Sequence, residues 1–138
     1  MVNQEIIQKR IDKANQYLDF LNEIRADYSL REFKSDPLLY GSSERFLHLC
    51  IESFLDIGNH IISDQNLGKV DAYSDIPKIL FENDYLSAEI RDVFIMIVGF
   101  RNILVHDYLE IDREIVYSVL EDNLEDLKRL VKVFAEFL

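Results

Sequence analysis

The stretch Phe100-Arg101-Asn102-Ile103-Leu104-Val105-His106-Asp107-Tyr108 follows the longest apolar run in the chain, Val93 to Phe100, and gathers Arg, Asn, His and Tyr within eight positions. Arginine is a permanent cation whose planar fork suits an anionic ligand. Histidine exchanges a proton near neutral pH. On a helix, steps of about 100° leave Arg101 and His106 about 140° apart, whereas Asn102 and His106 share a face. Arg101 and His106 converge on one ligand only where the helix ends or bends near Val105, or where a second subunit brings its copy alongside. Asn102 is placed to hydrogen-bond His106 or a bound phosphate. Plainer roles stay open at each position. Arg101 could pair with a carboxylate, His106 could cap the helix carbonyls, and Tyr108 could fill a gap with its hydroxyl in water.

Other chemistry-bearing residues carry weaker signals. Asp56 and His60 stand at i and i+4, a spacing that can bind a metal, but two ligands without a third do not make a site, so no metal is expected. Together with Asn59 they fit better as polar lining of a cleft, provided their helix faces Arg101. His48, on an apolar helix, is expected to be partly buried and hydrogen-bonded. Cys50 is alone, inside Phe46-Leu47-His48-Leu49-Cys50-Ile51. It reads as a reduced, buried small hydrophobe, which favours the cytoplasm. Glu121-Asp122-Asn123-Leu124-Glu125-Asp126 reads as a solvated helical face. The chain has no Gly-rich phosphate loop, no Gly-x-Ser-x-Gly and no Cys-x-x-Cys.

The elements that must position these residues are helical almost throughout. Ile7, Ile11, Ala14, Leu18, Leu21 and Tyr28 recur at helical steps, which predicts an amphipathic helix from residue 3 to about 27. Ser29-Leu30-Arg31-Glu32 is a capping box opening a short helix or turn. Asp36 followed by Pro37 starts a long central helix reaching about Ile62, with an interruption conceivable near Gly41. A loop over residues 63–69 and a short helix from Ile76 to Glu82 come next. Ser87 caps a nearly all-apolar helix carrying Ile90, Val93, Phe94, Ile97 and Val98. Asp112 caps one last helix running to the C-terminus. The expectation is all-α: one domain over residues 1–138, an antiparallel bundle of four main helices plus short ones.

Composition bounds the function. The 138 residues include 49% hydrophobic side chains, which excludes intrinsic disorder, and only 4 Gly and 2 Pro, which argues against a turn-rich β sandwich. Nothing resembles a secretory signal, and the Val93–Phe100 run is far too short to span a bilayer, so no membrane attachment is expected. The formal net charge of -11 disfavours general nucleic-acid binding. That excess is uneven. Six basic and six acidic side chains balance up to residue 35, and nine basic face twenty acidic ones beyond it.

Arg101-x4-His106-x-Tyr108 resembles the Arg-x4-His-x-Tyr signature of HepT-like toxins in the HEPN superfamily of helical ribonucleases. Arg101-Asn102-Ile103-Leu104-Val105-His106-Asp107-Tyr108 is similar to the family's usual wording of that motif. Residues 51–62, Ile51-Glu52-Ser53-Phe54-Leu55-Asp56-Ile57-Gly58-Asn59-His60-Ile61-Ile62, resemble its second-helix segment. The order of helices agrees too.

The resemblance implies a homodimeric, metal-independent endoribonuclease needing no cofactor, the toxin of a prokaryotic toxin–antitoxin pair. Arg101 and His106 from both subunits would form one composite site, with Asn102, Asp56, Asn59 and His60 in support. Such a reaction deprotonates a 2′-hydroxyl, stabilises a phosphorane and protonates a leaving 5′-oxygen. A histidine and a bidentate arginine suit those tasks. The implied partner is a minimal nucleotidyltransferase (MNT) antitoxin that uses ATP to place AMP on Tyr108. The alternative expectation is a non-catalytic helical module that keeps the motif as a nucleotide- or partner-binding site.

Overall fold

The computed structural model describes residues 3–106 and 111–137, with the side chain of His106 outside the description. Among the described residues there are seven helices and no strand. Helix α1 spans Gln4–Asp27, α2 Leu30–Ser35, α3 Pro37–Asp64, α4 Asp75–Glu82, α5 Ala88–His106, α6 Arg113–Asp122 and α7 Leu124–Ala135.

Local chemistry sets most of these ends. Asn3 caps α1, its Oδ1 accepting the Glu5 and Ile6 amides. Ser29 and Glu32 form the expected reciprocal capping box of α2. Asp36 accepts the Leu38 amide with Pro37 in the first turn of α3, and Ser87 accepts the Ile90 amide at the start of α5. Each side-chain acceptor satisfies a backbone donor that the helix itself cannot. Helix α3 runs through Gly41 without interruption.

One expectation fails. The C-terminal segment is two helices, broken at Asn123. The backbone of Asn123 leaves helical geometry, its N–H closes α6 on the Val119 carbonyl, and its side-chain amide reaches the Asp126 carboxylate at 3.2 Å. A short amide side chain that bonds locally competes with a continuing helix.

Helices α1 and α3 pack antiparallel along most of their length, and α7 lies against α1. Their shared core holds Ile7, Ala14, Leu21, Leu47, Cys50, Phe54 and Phe134, all fully buried. Phe134 ties the layers together, stacking on Phe54 of α3 and meeting Phe94 of α5 edge-on. Helix α4 fits between α3 and α5 because α3 carries Gly58 at the contact, where a Cβ would stand 2.5 Å from the Ile76 side chain. That close approach brings the loop before α4 over the polar side of α3. No helix among the described residues is long and apolar enough to cross a membrane.

Candidate functional site

Arg101 lies in the last turns of α5 and is only 8% exposed. Its Nε donates to Oε1 of Glu52 on α3 at 2.6 Å, and its Nη1 reaches Oδ1 of Asn102 at 3.4 Å. The guanidinium sits 4.4 Å from the ring centre of Tyr73, so the aromatic face shares its charge. Tyr73 is held there by its loop. The Asp75 carboxylate accepts the amides of Ala72 and Asp71, and those two bonds hold its carboxyl below the usual range. A cation, a carboxylate and an aromatic plate thus meet where α3, α5 and the 65–74 loop join.

The network extends along α3. Nε2 of His48 lies 3.3 Å from the same Glu52 oxygen, and Nδ1 of His48 lies 3.2 Å from Nη1 of Arg45. Arginine can only donate, so Nδ1 accepts and the ring proton sits on Nε2, facing Glu52. His48 is therefore partly buried and hydrogen-bonded, as its setting on an apolar helix suggests. Glu52 is the residue that sequence reasoning passed over. Its signal was present: residues 45, 48, 52, 56 and 59 form one polar stripe at helical steps through an otherwise apolar helix.

Beneath this network opens a cleft of about 450 Å³, lined by Glu52, Asp56, Asn59, Asp71 and Tyr73 with Leu55, Val70 and Ile76 behind them. Of the predicted supporting residues, Asp56 and Asn59 face this cleft and Asn102 touches Arg101. Burial raises the Asp56 carboxyl above its ordinary value; Arg10, 3.5 Å away, opposes that shift and Glu52 adds to it. His60 is drawn elsewhere, its Nε2 accepting the backbone amide of Asn3 at 3.1 Å. His106 closes α5 as a helical residue, and Tyr108 lies outside the described residues. No group of three or more His, Cys, Asp or Glu residues converges in metal-binding geometry among the described residues. Cys50 is fully buried, and burial pushes its thiol far above the usual range.

Chemically, the arrangement fixes one permanent positive charge at the rim of an acidic cleft, with its orientation set by Glu52. Arg101 does pair with a carboxylate, as its plainest reading allowed. The pairing also anchors the side chain against an exposed aromatic ring, beside the end of the helix that carries His106.

Comparison with known proteins places the chain in a family. The family model described as "Ribonuclease HepT-like" matches residues 14–134. An mRNA nuclease HepT of Shewanella oneidensis is 33% identical over 129 residues, covering 94% of this chain and 96% of that protein. A tRNA nuclease HepT of Aphanizomenon flos-aquae is 28% identical over 135 residues, covering 96% and 90%. The solved structure of a tri-AMPylated Shewanella oneidensis HEPN toxin in complex with MNT antitoxin superposes with a TM-score of 0.85 at 32% identity, covering 95% of this chain and 97% of that one. By this family match and by fold, the chain belongs to the ribonuclease HepT-like family.

Proposed function

We propose that this chain is the RNA-cleaving toxin of a HEPN–MNT toxin–antitoxin pair, one helical domain over residues 1–138 that acts in the cytoplasm as a homodimer. The observation that carries the composite site is the continuity of α5 through His106. A helical His106 stands about 140° from Arg101 of its own chain, which supports the reading that a second copy brings the two onto one phosphate. The same helix offers a surface for that copy. Met96 and Ile103 are 49% and 47% exposed on one face with Gly99 between them, and His106 follows Gly99 by two turns on the rim of that face.

In this site His106 moves the proton between the 2′-hydroxyl and the leaving 5′-oxygen, each copy taking one role. Arg101 holds the phosphate oxygens as negative charge builds on them. Asn102, Asp56 and Asn59 set the polar surroundings. Tyr108 receives AMP. Its phenol oxygen attacks the α-phosphate of ATP, pyrophosphate leaves, and the added nucleotide blocks the cationic site by charge and bulk.

The test compares wild type, Arg101→Ala and His106→Ala on total RNA, with oligomeric state measured alongside. Both variants should remain dimeric, and His106→Ala should lose at least about 100-fold in rate. Wild-type products should end in a cyclic phosphate without added metal. A folded His106→Ala dimer that cleaves like wild type overturns the mechanism, as does strict dependence on a divalent ion.

One observation favours the alternative, a non-catalytic nucleotide- or partner-binding module: Arg101 already has a carboxylate partner in Glu52. Nucleotide binding that needs Arg101, in a dimer that cleaves no RNA, is the outcome that would select it.

A further inference from the structure

The outward edge of α1 beside α3 has an unusual content for so acidic a chain. Arg10, Lys13, Tyr17 and Phe20 follow one another at i, i+3, i+7 and i+10, with no carboxylate of α1 in that line. Across the groove, Phe46 of α3 meets both aromatics, with ring centres 6.1 Å from Tyr17 and 5.0 Å from Phe20. Phe20 is 37% exposed, and Tyr17 and Phe46 are half-buried. Arg45 stands next to Phe46, exposed, and leads through His48 and Glu52 to Arg101. The carboxylates at this site are already paired, Asp56 with Arg10, Glu52 with Arg101 and Asp71, across the cleft, with Lys69. Lys13 makes no ion pair among the described residues. With each pair counted on both sides, Arg10, Lys13, Arg45 and Arg101 against Asp56 and Glu52 leave an excess of two positive charges, in a chain whose net charge is -11.

We propose that this α1–α3 face is a track for single-stranded RNA, leading from the Arg101 site to the aromatic cluster of Tyr17, Phe20 and Phe46. The inference rests on the ribonuclease reading and adds where the substrate lies. Phosphates on one side of the cut meet Arg45 and Lys13, and unpaired bases stack on the exposed aromatic edge, a combination suited to single strands whatever their sequence. Seven residues of helix separate Arg45 from Glu52, about 10 Å, so the track starts within a nucleotide or two of the cleavage site. Duplex RNA gains less here, because its bases are not available to stack. The acidic remainder of the surface repels phosphate and so confines the strand to this face.

The test uses the full-length protein, a labelled 2′-O-methyl single-stranded oligonucleotide that cannot be cleaved, and fluorescence anisotropy over a range of salt. Lys13→Gln/Arg45→Gln should weaken binding about tenfold and lower the slope of log Kd against log salt by about 1.4, two single-strand phosphate contacts. Phe20→Ala should weaken binding roughly tenfold with the salt slope unchanged, because stacking releases no counterions. Lys132→Gln on α7 removes one positive charge elsewhere and should change nothing. Thermal melts of each variant verify folding. In cleavage of natural RNA, the double variant should raise KM and leave kcat within about twofold, as expected when only shared ground-state contacts are lost.

Wild-type affinity in the double variant, or equal weakening by Lys132→Gln, overturns the track while leaving the ribonuclease reading intact. Undiminished RNA binding together with lost capture of a protein partner also overturns it, and gives the face to that partner. Wild type that neither binds nor cleaves RNA overturns the reading beneath it.

Discussion

Glu52 decides what Arg101 can do. A guanidinium that is 8% exposed needs a partner, and Glu52 provides one at 2.6 Å while staying open to the cleft. Glu52→Gln keeps an acceptor for Arg101 Nε but removes the charge, and should cost about 1 kcal/mol in urea unfolding. Glu52→Ala leaves the buried cation without that acceptor and should cost about 2–3 kcal/mol. Equal losses in the two variants would show that the bond contributes little to holding Arg101. At this scale the sequence was half legible. Arg101, His106 and Tyr108 stood out because their types and spacing resemble the HepT-like signature. Glu52 did not, since a single glutamate in a helix reads as a surface residue until its partner, 49 positions away, is brought beside it.

Among the elements, α4 has the most specific placement. It reaches Arg101 through Tyr73 only because Gly58 lets it close on α3. Gly58→Ala forces its methyl into Ile76 and should destabilise the fold by about 1–3 kcal/mol. It should also shift the near-ultraviolet signal of tyrosine as the Tyr73 loop is pushed outward. A melting curve matching wild type would mean that α4 moves aside freely. Apolar periodicity and caps located α1 to α5 within a few residues, because α1, α2, α3 and α5 each open on a side chain that bonds the helix's own first turn, while α4 shows through its apolar spacing. The break at Asn123 escaped for a physical reason. Leu120, Leu124 and Leu127 stay in helical phase across it, so the apolar pattern does not register one residue leaving helical geometry.

For the molecule as a whole, α6 is fastened to the α1–α2 corner by one buried phenol. Tyr117 donates to the Tyr28 carbonyl at 2.8 Å and packs on Phe33. Burial raises its hydroxyl above the ordinary value near 10, with Glu121 and Glu32 adding to the shift. A folded value above the unfolded one means that its stabilisation is fully present below about pH 10 and is lost as pH rises through the folded value. Tyr117→Phe should therefore lower stability by about 1 kcal/mol at pH 7. Its deficit against wild type should narrow as pH climbs past 10 in urea titrations, and a constant gap across that range would refute the assignment.

The Cys50 thiol faces the Ala14 carbonyl in the middle of the α1–α3 seam, fully buried, with its ionisation suppressed by that burial. A thiol-directed reagent reaches it when the two longest helices separate. Its modification is then a clock for the breathing of that seam, running slowly while the helices stay zipped and faster whenever they part. Such a modification would also keep the seam from closing again, because the added atoms have no room inside it. The chain thus carries one chemically vulnerable point, guarded by time spent open.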